Sequence, residues 1–103
     1  MDTLARLERT IAQRRAAASD QSYVASLTAR GVPVMARKLG EEGIETVIAA
    51  LSGTREELIG ESADLLFHWL VLLAAREISL EEVLAELDRR EGTSGLVEKA
   101  ARA

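Results

Sequence analysis

The pattern of apolar and polar positions predicts a chain built from helices. Leu4, Leu7 and Ile11 lie three and four residues apart with arginines between them, and this spacing predicts an amphipathic helix over residues 3–17. A polar break follows. A serine that can cap a helix and a glycine that can end one then delimit a short helix over residues 22–30.

Three longer segments continue the helical pattern. Pro33 suits the first turn of a helix, because the N–H that proline lacks has no partner there. Two later segments begin with a capping box, in which a Ser or Thr side chain accepts from the backbone three residues on and a Glu there reaches back. These boxes are Thr54 with Glu57 and Ser79 with Glu82. The predicted helices are residues 33–51, 54–76 and 80–92.

The predicted fold class is all-α, a helical bundle of four to five helices in one domain over residues 1–103, with a short appendage from residue 93. Residues 65–75 are apolar nearly all round, which in a soluble protein requires burial on every side. A chain of 103 residues has few elements to provide that burial. We therefore expect a homodimer that completes the bundle here. The alternative is a monomer in which this segment is the central helix.

Composition and charge exclude several function classes. The chain is 48% hydrophobic but only 3% aromatic, as expected for a helical protein rich in Leu, Ala, Val and Ile. A net charge of −4 argues against a nucleic-acid partner, and the absence of cysteine excludes disulfides and thiolate sites. The N-terminus lacks an apolar signal region, and residues 65–75 are too short to span a bilayer. These features predict a soluble, cytoplasmic protein with no membrane partner.

Acidic residues cluster once on each of the two longest predicted helices. Because a helix turns by about 100° per residue, Glu42 and Glu45 share one face of the first helix, and Glu61 and Asp64 share one face of the second. The second pair belongs to a polar stripe over residues 57–68 that has no Lys or Arg to compensate it. Crowded carboxylates cost free energy unless a cation is present, and their oxygens suit Mg²⁺ or Mn²⁺.

The spacing leaves a second interpretation of the first acidic pair open. An apolar stripe lies on the other side of that helix, roughly opposite the two carboxylates, and consists of Gly40, Ile44, Val47 and Leu51. If this stripe faced the core, the acidic pair would face water. Spacing alone therefore allows either a metal site between facing helices or a solvated acidic surface.

The acidic pattern resembles the signature of the all-α nucleoside triphosphate pyrophosphohydrolases, the MazG-like superfamily. It reads EExxE at residues 41–45, then a gap of fifteen residues, then ExxD at residues 61–64. The wider context, over nearly the whole chain, is similar to one branch, the phosphoribosyl-ATP pyrophosphohydrolase family. The segments that carry this similarity are residues 22–23, 37–42, 63–68 and 94–100.

The resemblance implies an Mg²⁺-dependent enzyme of histidine biosynthesis. Such an enzyme cleaves phosphoribosyl-ATP between its α- and β-phosphates to give phosphoribosyl-AMP and pyrophosphate. The implied metal ligands are Glu42, Glu45, Glu61 and Asp64, and Glu41 would be a group behind the ligands or a water-activating base. Gly43 and Leu39 depart from the commoner residues of the family, but neither is a ligand. The absence of Cys favours attack by a metal-activated water over covalent catalysis.

Several further residues are candidates for substrate contacts. Lys38, Arg90, Lys99 and Arg102 could hold phosphate charge, although basic residues on helix surfaces often only keep a protein soluble. Tyr23 and Trp69 could stack on adenine, but the apolar neighbours of Trp69 favour a place in the core. His68, the single histidine, could line the site or be bonded within the core.

Two rival functions stay open at this point. One is a house-cleaning nucleotide pyrophosphohydrolase of the same superfamily that acts on dUTP-like substrates. The segment over residues 94–99 argues against this function, because it resembles the phosphoribosyl-ATP pyrophosphohydrolase family. The other is a helical dimerisation module without catalysis. In the second case divalent metal would leave thermal stability unchanged.

Overall fold

A computed structural model of the chain describes residues 2–91, which form five α-helices and no strand. The helices are α1 (Thr3–Arg15), α2 (Tyr23–Arg30), α3 (Val32–Ser52), α4 (Arg55–Ala75) and α5 (Leu80–Arg90). The predicted all-α class is confirmed, and the predicted ends differ from these bounds by at most two residues. The predicted C-terminal appendage lies outside the described residues.

The helix starts form as the sequence predicts. Both capping boxes are present. The Thr54 N–H donates to the Glu57 carboxylate at 3.0 Å, and the Ser79 N–H donates to that of Glu82 at 2.7 Å. Gly31 ends α2 with a φ of 97°, a conformation that glycine adopts without strain. The connections are therefore set mainly by local chemistry.

The core lies where α1, α2 and the C-terminal half of α4 meet. Its buried aliphatic side chains include Ile11, Leu27, Leu70 and Val71, and Trp69 packs against them. Trp69 thus takes the core position that its neighbours favoured. A long-range bond ties α5 to α1, since the Leu80 N–H donates to Oε2 of Glu8 at 2.7 Å.

The hairpin of α3 and α4 positions the acidic residues. Only Gly53 and Thr54 separate the two helices, which make the most extensive contact of any helix pair described. A connection this short makes neighbouring helices antiparallel. The acidic cluster of α3 is thereby brought opposite that of α4.

Helix α4 is long and strongly apolar. It has 21 residues and a mean hydropathy of 1.5 in its most apolar window, so by length and composition alone it could cross a membrane. The expectation that residues 65–75 are too short considered only part of this helix. The same criterion is met by core helices of globular proteins, and α4 packs against both α1 and α3. Only 17% of the window is buried within the single chain.

Candidate metal centre

Three of the four predicted ligands converge between α3 and α4. Carboxylate oxygens of Glu42, Glu45 and Glu61 all lie within 4.8 Å of one another. The first two come from successive turns of α3 and the third from the facing turn of α4, so the spacing on each helix and the short hairpin together create the cluster. Helix geometry alone would bring only the two glutamates of α3 together.

Helix α3 buries the side chain of Glu42 and exposes its apolar stripe. Glu42 is only 8% exposed, whereas Ile44, Val47 and Leu51 are 64%, 57% and 83% exposed. The interpretation in which this acidic pair faces water is therefore wrong for Glu42, whereas Glu45 is exposed as that interpretation expected. The side chain of Glu42 is turned towards α4 because the hairpin places the polar stripe of α4 on that side.

Two oxygens of the cluster are buried without a hydrogen-bond partner among the described residues. They are Oε2 of Glu42 and Oε2 of Glu61. A buried carboxylate oxygen with no partner costs free energy, because it has lost water and gained nothing in return. Unpaired oxygens of crowded carboxylates fit a cation held between the helices.

The crowding of the carboxylates also changes their proton affinity. Burial raises the pKa of Glu42 above its ordinary value of 4.5, and the Glu45 carboxylate adds to the rise, while Lys38 opposes it. The pKa of Glu61 is raised to about 7, first by a hydrogen bond with the side chain of Glu45 and then by burial and neighbouring charge. The cluster thus strongly favours a bound positive charge, whether a proton or a metal ion.

Thr46 connects the two helices at the level of the cluster, and sequence reasoning missed it. Its hydroxyl lies 2.7 Å from the main-chain oxygen of Glu42 and 3.2 Å from that of Glu61. The hydroxyl therefore links the segments that carry these two carboxylates. Neither charge nor periodicity marked Thr46, since a threonine in a helix usually bonds only to its own preceding turn.

A cavity of about 240 Å³ lies next to the cluster, towards the connection between α3 and α4. Three carboxylates line it, those of Glu45, Glu57 and Glu61, together with the apolar Ile48 and Ala49. The sequence pattern identifies Glu57 only as a capping residue and as part of the polar stripe of α4. An anionic group could enter this cavity only with cations to compensate the charge.

Two other predicted site residues, Asp64 and Glu41, are exposed and are not among the three converging carboxylates. The charge of Asp64 nevertheless contributes to the raised pKa of Glu42 and Glu61. Glu41 pairs with Lys38 at 3.9 Å and with Arg37 at 3.7 Å. Lys38 is thus beside the site. The roles predicted for these residues stay predictions.

The remaining basic candidates receive little support. Arg89 and Arg90 both donate hydrogen bonds to the carboxylate of Glu86, and the bond from Arg90 is 2.9 Å long. These bonds lower the pKa of Glu86 to about 2. Arg90 is therefore engaged within α5. Lys99 and Arg102 fall outside the described residues.

Aromatic residues surround His68, one helical turn beyond Asp64 on α4. His68 is buried, and its Nε2 lies 2.9 Å from the hydroxyl of Tyr23. Tyr23 is 51% exposed and stacks against Phe67, with ring centroids 6.1 Å apart. The structure thus places Tyr23, a predicted substrate contact, one helical turn past the acidic residues of α4.

Comparison with known proteins identifies the family. Residues 4–91 match the phosphoribosyl-ATP pyrophosphohydrolase family. The chain belongs to this family. A phosphoribosyl-ATP pyrophosphatase of Erythrobacter litoralis is 69% identical over 99% of this chain and 98% of its own length. Those of Rhizorhabdus wittichii and Novosphingobium aromaticivorans are 64% and 61% identical, over 97% and 98% of this chain and 94% of their own lengths.

Membership of the phosphoribosyl-ATP pyrophosphohydrolase family confirms the predicted resemblance. The matched range contains both acidic clusters and the Tyr23–His68 pair. The relatives named above all carry an enzyme's name, which argues against a dimerisation module without catalysis.

Proposed function

We propose that this chain hydrolyses phosphoribosyl-ATP to phosphoribosyl-AMP and pyrophosphate, as a cytoplasmic enzyme of histidine biosynthesis that uses Mg²⁺. The observation that carries the proposal is the convergence of Glu42, Glu45 and Glu61, two of which have a buried oxygen without a partner in the part of the chain that the structure describes. This arrangement occurs in a chain that belongs to the phosphoribosyl-ATP pyrophosphohydrolase family.

The residues present fit a hard divalent cation. The cluster offers only carboxylate oxygens, which Mg²⁺ and Mn²⁺ prefer, and no sulfur or imidazole that would favour zinc. The raised pKa of Glu42 and of Glu61 indicates that positive charge is favoured here. When bound, Mg²⁺ would neutralise phosphate oxygens and make water a better nucleophile. Glu42, Glu45 and Glu61 would hold the ion, with Asp64 as a fourth ligand.

The protein's own groups divide the remaining work between them. Lys38 lies close enough to Glu42 to affect its pKa, so its ammonium group can also attract phosphate oxygens. Glu41 is exposed at the rim of the site and is in reach of solvent, where a carboxylate can accept a proton from an attacking water. The half-exposed ring of Tyr23 is available to the nucleoside part of the substrate.

The working form that we propose is a homodimer. Ile48 extends the apolar stripe of α3, and from here on the stripe means its four large side chains without Gly40, namely Ile44, Val47, Ile48 and Leu51. Each of them is more than half exposed. Contiguous apolar surface of this kind is typical of a protein interface. A second copy that covers the stripe would complete the bundle around α3 and α4.

A pyrophosphate-release assay with three substrates tests the function. Purified protein is incubated with phosphoribosyl-ATP, dUTP or ATP, each with Mg²⁺ and with a chelator. We expect release from phosphoribosyl-ATP that requires the metal. Release from dUTP alone would assign the chain to house-cleaning hydrolysis, and no release from any of the three would refute an enzymatic function.

A further inference from the structure

His68 is one of two buried polar or charged side chains among the described residues, and both of its ring nitrogens are engaged. Nδ1 lies 2.8 Å from the main-chain oxygen of Asp64, and Nε2 lies 2.9 Å from the hydroxyl of Tyr23. A carbonyl oxygen can only accept, so Nδ1 carries the hydrogen. In the neutral ring Nε2 is then an acceptor, and the hydroxyl of Tyr23 donates to it.

This chain of bonds fixes what the Tyr23 hydroxyl can offer a ligand. Its single hydrogen is committed to His68, so only lone pairs remain on the oxygen. The ring is held by Phe67 on one side and by the edge of His68, whose centroid is 5.7 Å away at an angle of 83°. Half of the residue is exposed. Tyr23 therefore presents a fixed hydrogen-bond acceptor at the surface.

The position of His68 along α4 indicates which part of a nucleotide the Tyr23 hydroxyl contacts. His68 follows Asp64 by one turn and Glu61 by two turns, which corresponds to about 6 Å and about 10 Å along the helix axis. The cavity beside Glu57 lies on the opposite side of the cluster. With the phosphates at the carboxylate cluster and in this cavity, the sugar and base would extend the other way along α4, towards Tyr23. An acceptor oxygen would repel a phosphate but suits a sugar hydroxyl.

We propose that the Tyr23 hydroxyl accepts a hydrogen bond from a ribose hydroxyl of the substrate, and that His68 is the positioning residue that holds Tyr23 in this state. The inference rests on the proposed function, because it assumes a nucleotide whose phosphates lie at the cluster. It assigns the pair to recognition of the nucleoside. Loss of the pair therefore weakens binding and leaves bond cleavage nearly unchanged.

Three variants separate the two bonds that His68 makes. Tyr23→Phe removes the acceptor. His68→Asn keeps a donor near the position of Nδ1 but leaves Tyr23 without its partner, whereas His68→Gln keeps an acceptor near the position of Nε2. For Tyr23→Phe and for His68→Asn we expect KM for phosphoribosyl-ATP to rise about three- to tenfold, with kcat within about twofold of wild type. KM for His68→Gln should stay close to that of wild type. KM for the double variant Tyr23→Phe/His68→Asn should be no higher than that for Tyr23→Phe alone.

Binding of phosphoribosyl-AMP with Mg²⁺, measured by calorimetry, provides a readout that does not depend on turnover. The dissociation constant should follow the same order among the variants, while inhibition by pyrophosphate should be unchanged by Tyr23→Phe. The inference is overturned if Tyr23→Phe leaves both KM and the dissociation constant unchanged, if its effect multiplies with that of His68→Asn, or if it weakens pyrophosphate inhibition. An inactive wild type would refute the proposed function instead, and the binding series would still decide the role of the pair.

Discussion

Replacement of Val47 by glutamate tests whether a second copy covers the apolar stripe of α3. On average roughly two-thirds of each of the four side chains of the stripe is exposed. Full burial of an aliphatic side chain contributes about 2 kcal/mol, so covering the stripe would contribute about 5 kcal/mol per protomer and about 10 kcal/mol per symmetric pair. The total for the pair is comparable with the free-energy cost of association. A stable dimer therefore needs further favourable contacts, which α4 would provide.

Val47→Glu places one carboxylate from each protomer in such an interface. In each protomer the substitution removes the favourable burial of a valine. It also adds the cost of taking a carboxylate out of water, which is several kcal/mol. The dimer dissociation constant should rise by about a thousandfold or more, because each 1.4 kcal/mol corresponds to about tenfold.

Sedimentation velocity at about ten micromolar protein should show a wild-type dimer and a Val47→Glu monomer. Gln13→Glu adds the same charge at an exposed position of α1 and should leave the dimer intact. A wild-type monomer, or a Val47→Glu variant that is still a dimer, would refute the assignment of this face.

Three further predictions follow from the same geometry. Mg²⁺ at about 100 times its dissociation constant should stabilise the fold by about 2.7 kcal/mol and raise the melting temperature by about 10–20 °C; an unchanged melting temperature would argue against a metal site. The pKa of Glu61 is raised from 4.5 to about 7 in the folded chain, so its contribution to stability is fully present below about pH 4.5 and is lost as the pH rises through about 7. Urea unfolding in chelator should therefore show a lower stability at about pH 8 than at about pH 5. Glu61→Gln should reduce this decline, to which the raised pKa of Glu42 also contributes, and an identical decline in that variant would contradict the coupling. Glu8→Ala removes the acceptor of the Leu80 N–H and should cost about 1–2 kcal/mol, measured by the same unfolding, whereas a neutral effect would mean that water replaces this cap.

Much of the fold was predictable because local chemistry sets the helix ends. The capping boxes at Thr54 and Ser79 and the glycine at position 31 each specify a boundary without reference to the rest of the chain. The pairing of acidic residues on each helix was equally accessible, since it follows from the helical repeat.

The direction in which α3 faces was not predictable from its own sequence. Its apolar stripe would normally mark the core side, yet Glu42 is buried and Leu51 is 83% exposed. The orientation depends on the polar stripe of α4 and, in our proposal, on a metal ion and a second chain. A hydrophobic pattern identifies the two faces of a helix but does not distinguish the core of one chain from an interface between two.

Contacts between side chains far apart in sequence were likewise outside what spacing can specify. The bond between Tyr23 and His68 joins residues on α2 and α4, and Thr46 connects α3 to α4 through the backbone of Glu61. Both depend on how the helices pack. His68 was recognisable as unusual only because it is the single histidine on an apolar segment.

The central claim is that the cluster of Glu42, Glu45 and Glu61 binds the metal ion on which hydrolysis depends. The most direct test is the rate of pyrophosphate release from phosphoribosyl-ATP at saturating Mg²⁺ for wild type, Glu61→Gln and the matched control Glu56→Gln, which changes an exposed glutamate of the same helix. We predict that Glu61→Gln keeps its fold and loses about 100-fold or more in kcat, while Glu56→Gln stays within about twofold of wild type. A Glu61→Gln variant with near wild-type turnover, or an equal loss in Glu56→Gln, would contradict the claim.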